Sequence, residues 1–175
     1  DPANITEVTR FSTGGEFTHN CWLTGDGRYL FTTDERISRP VEGWDLLDPL
    51  APRKVRTWNR TFDSAHSLWI DEARGLLYAH GTQTGMHVLD VAGNPEDPSE
   101  VGVFADFYVH DSYGRGTTLY AAAIRDGFIG ILDVSDPANI TEVTRFSTGG
   151  EFTHNCWLTG DGRYLFTTDE RISRP

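Results

Sequence analysis

The sequence lacks any apolar run approaching the ~18 residues that cross a bilayer, which excludes membrane insertion of this segment. Basic residues are scarce: 15 Lys and Arg stand against 26 Asp and Glu, for a formal charge of −11. Phosphate binding needs clustered cations, so nucleic acid is excluded as a partner. The acids are dispersed and read as a solvated surface. There are two cysteines, Cys21 and Cys156, and they are copies of one position, so they imply no disulfide framework and set no compartment. No secretory leader or other targeting signal is visible. Helix-period stretches are missing, which removes α/β and helical-repeat folds. Also missing are a nucleophile elbow, a Ser-His-Asp arrangement and tight ligand spacings of the H-x3-H or C-x2-C kind.

What is present suffices for a packed domain. The 175 residues are 38% hydrophobic and 12% aromatic, too rich for a disordered chain. Residues 136–175 repeat residues 1–40 letter for letter. Natural repeats drift apart, so this identity implies a very recent duplication or a deliberate assembly from fragments.

A weaker repeat lies beneath. "THNCWLTGDGRYLFTTDE" (18–35), "AHSLWIDEARGLLYAHG" (65–81) and "VHDSYGRGTTLYAAAI" (109–124) each give a small or β-branched residue, a His, an apolar stretch, a polar turn and a second strand. A third strand follows in "GWDLLDP" (43–49), "GMHVLDV" (85–91) and "GFIGILDVSDP" (127–137), and a fourth in "RKVRTW" (53–58), "SEVGVF" (99–104) and "TEVTRF" (141–146). Four short strands with Gly and Pro turns at a period near 45 residues predict an all-β fold, a β-propeller of four-stranded blades. The expected layout is an outer strand of a preceding blade (1–16), three complete blades (17–60, 61–106 and 107–150) and a partial blade (151–175) that duplicates 16–40.

The wording of the blades carries a resemblance. "GILDVSDPANITEV" resembles the LVIVD-type propeller repeat, in which an apolar strand ends in Asp and runs into an Asp-Pro turn. "FTHNCWLTGDGRYLFTTDE", with "YVHD" and "AHSLWI", is similar to the choice-of-anchor B family of bacterial surface proteins. It departs from that family at Cys21 and Cys156, where a glycine is expected, and in its small number of blades. The resemblance implies a propeller and an extracellular or cell-surface location; it implies no defined activity.

The candidate site comes from the repeat. His19, His66, His110 and His154 are spaced by 47, 44 and 44 residues. The first strand of a blade lines the channel, so these imidazoles are expected to converge on the axis. With Asp111 beside one of them, they are candidate ligands for a divalent transition metal or an anion; no cofactor is required by the fold. The alternative is that each ring caps a turn or bonds a neighbouring blade. Asp45, Asp90 and Asp133 recur once per blade before a turn and are expected to accept backbone N–H bonds there. Asp34–Glu35 and Asp169–Glu170 read as solvated, or paired with Arg36 and Arg171, with cation binding as the rival. "GDGR" reads as a hairpin turn, His80 and His87 as exposed surface residues with a local metal pair across a hairpin as the rival, and the five tryptophans as packing between blades. The sequons at Asn4, Asn59 and Asn139 read as accidental.

The functional expectation is a non-catalytic scaffold or binding module. Its open blade edges are expected to pair with a second copy, giving a homodimer and a ring of six to eight blades; the rival is a truncated piece of a longer chain. The alternative is a metal-dependent enzyme built on the channel histidines.

Overall fold

The computed structural model describes residues 3–36 and 38–171. All of their regular structure is β, in fourteen strands. The first sheet holds β1 (Thr18–Leu23), β2 (Tyr29–Asp34), β3 (Val41–Asp45) and β4 (Arg53–Trp58). The second holds β5 (Ser67–Asp71), β6 (Leu76–His80), β7 (Met86–Asp90) and β8 (Ser99–Phe104). The third holds β9 (Asp111–Arg115), β10 (Thr118–Ala123), β11 (Phe128–Asp133) and β12 (Thr141–Ser147). The last two strands, β13 (Thr153–Leu158) and β14 (Leu165–Asp169), pair alone.

Every sheet is an antiparallel meander in sequence order, because each connection is a short turn. In the first turn Asp26 accepts the Arg28 amide (3.0 Å) and the Thr24 hydroxyl (2.6 Å), while Gly27 takes a φ of 69° that side chains disfavour. The third and fourth strands lose register at one place in every complete sheet: Gly43/Trp44, Val88/Leu89 and Ile131/Leu132. Such bulges increase local twist, and their recurrence gives the three sheets one shape.

The sheets pack face to face, and that packing is the core. Phe31, Trp58, Leu68, Ile70, Leu77 and Leu89 fill the space between the first two. Trp69, Tyr78, Met86, Val88, Phe104 and Leu119 fill the next. Ala122, Ile129 and Cys156 are buried where the third sheet meets the last hairpin. The first strands β1, β5, β9 and β13 adjoin in succession, so the four histidine positions lie on neighbouring strands or just before them.

The duplicated sequence shows how far context decides structure. "TEVTRFS" at 141–147 is strand β12, paired along β11. The same letters at 6–12 form no strand, which corrects the expected outer strand at 1–16. Residues 1 and 2 lie outside the described residues. A strand needs a partner for its N–H and C=O groups, and among the described residues no strand lies beside residues 6–12. The second strands differ in burial for the same reason. Phe31 is 1% exposed against the second sheet, whereas its duplicate Phe166, which no sheet covers among the described residues, is 66% exposed.

Candidate functional site

The hairpin repeat brings the four imidazoles together. Ring centroids lie 3.7 Å apart for His19 and His66, 3.9 Å for His66 and His110, and 4.5 Å for His110 and His154. His66 and His154 are 6.1 Å apart, edge to face. His66 and His110 immediately precede their first strands, and each backbone N–H donates to the second strand of its own hairpin, to the carbonyls of His80 and Ala122 respectively (2.9 Å each). Those bonds fix where the rings emerge.

The rings differ in environment. His66 Nδ1 bonds Glu35 Oε1, while His66 Nε2 is buried with no hydrogen-bond partner. His110 Nδ1 donates to the backbone carbonyl of His154 (3.1 Å), so Nε2 carries that ring's lone pair. Burial pushes the His66 pKa below the ordinary imidazole value, against the opposing pull of Glu35. Burial, helped by the nearby His66, takes His110 down to about 4. His19 is exposed, and the His154 side chain is 27% exposed beside Glu170 (3.9 Å). Donor atoms of His66, His110 and His154 all fall within 4.8 Å of one another, as do those of His19, Glu35 and His66.

Asp111 does not join them. It accepts Asn155 Nδ2 (2.6 Å) and the Ser112 amide (2.7 Å), and burial raises its pKa. It lies near enough to His66 for the two to interact electrostatically, but its oxygens are spent on Asn155 and Ser112. Glu35 holds the carboxylate position instead. It comes from the turn after β2 and reaches the next sheet.

The other expectations divide. Asp45, Asp90 and Asp133 accept the amides of Leu47 (2.9 Å), Ala92 (2.9 Å) and Ser135 (2.8 Å). Asp34 and Asp169 are not solvated: they receive the Phe17 and Phe152 amides (2.9 and 2.8 Å) and those of Arg36 and Arg171 (3.0 Å each). The guanidinium groups of Arg36 and Arg171 lie over the rings of Phe17 and Phe152. His80 and His87 are buried, not exposed. Both His80 nitrogens bond serines, Ser67 (3.1 Å) and Ser112 (2.8 Å), and burial takes its pKa to about 3. His87 is held by Glu100 and Thr84 (2.8 Å each). These two rings are therefore used up by the fold.

Three residues beyond each histidine stands an aromatic: Trp22, Trp69, Tyr113 and Trp157. Tyr113 and Trp157 approach to 4.3 Å, and Trp22 and Trp157 to 5.9 Å. The first and last hairpins of the described chain thus meet through their tryptophans.

No family model matches the sequence, and no curated protein matches it. Solved structures do match in shape. The periplasmic gluconolactonase PpgL of Pseudomonas aeruginosa superposes with a TM-score of 0.72 at 15% identity, over 91% of this chain and 52% of that one. The β-propeller domain of Swd1 (Cps50) from Myceliophteria thermophila gives 0.64 at 15%, over 87% of this chain and 49% of that one. The fold is a β-propeller. The computationally designed Ika4 protein is similar along its whole length, with a TM-score of 0.65 at 9% identity over 95% of this chain and 99% of that one. Identities this low establish the propeller fold alone. The chain spans about half the length of the natural propeller structures that head the comparison.

Proposed function

We propose that this propeller segment is a non-catalytic scaffold of the LVIVD-repeat, choice-of-anchor B type, belongs at the cell surface, and completes its ring with a second copy. The observation that carries the reading is the unequal burial of identical sequence. Among the described residues the first copy of the hairpin packs on the second sheet through one face only, so Phe31 is buried and Cys21 is exposed. The second copy packs on the third sheet through its opposite face, so Cys156 is buried while Tyr164 and Phe166 are 59% and 66% exposed. One chain therefore presents the two opposite faces that blades use to pack on each other. Exposed apolar surface of this kind is a docking surface between copies. The half-length match supports two copies per ring, and residues 6–12 offer each partner an unpaired strand sequence.

Sedimentation equilibrium on the chain and on Phe166→Asp tests the reading. A dimer for the parent and a single chain for the variant are expected. A parent that stays a single chain at micromolar concentration would overturn it.

A further inference from the structure

We infer that His66, His110 and His154 form a binding site for one divalent transition metal ion of the zinc, nickel or copper class, built wholly within one chain. This goes beyond the scaffold reading and does not rest on self-association. Three features carry it.

The first is the donor geometry. One nitrogen from each ring already lies within 4.8 Å of the others. At a zinc–nitrogen distance of about 2.0–2.1 Å, tetrahedral ligands stand roughly 3.4 Å apart, so the donors need to close by at most about 1.4 Å to meet an ion. The second is the orphaned nitrogen. His66 Nε2 is buried and unpartnered, which costs free energy unless something binds there. His80 and His87, buried elsewhere in the fold, leave no nitrogen unused.

The third is the outer shell. Metal-binding imidazoles characteristically give their other N–H to a carboxylate or a backbone carbonyl, which fixes the tautomer and aims the lone pair. His66 has Glu35 in that role, and His110 has the carbonyl of His154. The partial exposure of His154 leaves an entry path and room for solvent at the open coordination position. Imidazole donors suit zinc, copper and nickel, and calcium and magnesium take oxygen ligands instead. The competing group His19, Glu35 and His66 would need Glu35 as a direct ligand, but its carboxylate is already committed to His66 Nδ1 and would leave Nε2 orphaned.

The test is a Zn²⁺ titration of the chelator-treated 175-residue protein against a chromogenic competitor, with Co²⁺ absorption reporting coordination. One Zn²⁺ per chain is expected. His110→Ala and His154→Ala should each weaken binding at least 100-fold, and Glu35→Gln, which removes only outer-shell support, about 10–100-fold. His19→Ala should leave the affinity unchanged. If His110→Ala fails to fold by far-UV circular dichroism, His154→Ala, in the terminal hairpin, carries the test. Absence of stoichiometric Zn²⁺ binding by the parent would overturn the inference. So would loss of binding in His19→Ala with retention in His154→Ala.

Discussion

Phe31 and Phe166 are the same residue in the same 40-residue sequence, so replacing each with Ala separates environment from sequence. Phe31 is 1% exposed and packs among Trp58, Leu68, Ile70 and Leu77. Truncating a fully buried Phe costs about 3–5 kcal/mol, from lost transfer energy and the cavity left behind. Phe166 is 66% exposed and has almost nothing to lose within one chain, so its truncation should stay within about 0.5 kcal/mol. Urea unfolding at high dilution, where copies are apart, is the assay. At a slope of about 1–3 kcal/mol/M, Phe31→Ala should lower the midpoint by roughly 1–5 M while Phe166→Ala leaves it in place. At higher concentration the order changes. Burying Phe166 against a second copy is worth about 1.5–3 kcal/mol, so its truncation should weaken association by at least tenfold per interface. Equal destabilisation by the two variants under dilution would refute the reasoning, because it would mean that both copies are covered within one chain.

Three further outcomes follow from the same structure. Cys21 should react with a maleimide at high dilution and Cys156 should not, because burial raises the Cys156 thiol pKa to about 12; labelling of both, read by intact mass, would contradict the placement. Stability should fall as pH drops below the ordinary histidine value of about 6.5, because the unfolded chain takes up protons that buried His80, with a folded pKa of about 3, refuses. At pH 5 His80 alone should cost about 2 kcal/mol, measured by urea midpoints at pH 7 and 5, and His80→Gln should flatten that dependence. Gly102→Ala should be severely destabilising in thermal melts, since a Cβ there would lie 1.7 Å from the Pro137 carbonyl oxygen of the next sheet, where backbone meets backbone.

Periodicity is local, and it made the four-strand plan legible. The apolar strands, the turn aspartates and the spacing of His19, His66, His110 and His154 all repeat, so their places could be read before any contact was known. Pairing is not local. Residues 6–12 and 141–147 have identical propensities, and only the presence of β11 beside the second makes it a strand. The same limit hid much of the candidate site. Glu35 reaches His66 from a neighbouring sheet, and the partner of His110 is a backbone carbonyl, which has no signature in sequence. Asp111 is spent on Asn155 and Ser112, partners that its place beside His110 in sequence does not reveal. His80 and His87 occur once each and so looked like surface residues, although His80 links Ser67 and Ser112 across two sheets.

Native mass spectrometry after brief maleimide exposure reads the proposed pairing of copies and the shielding of Cys21 in one experiment. A species of twice the 19.6 kDa chain mass with Cys21 unlabelled is expected, since a second copy seated on the exposed face of the first hairpin would shield that thiol. A single-chain mass carrying one label at the same micromolar concentration would contradict it.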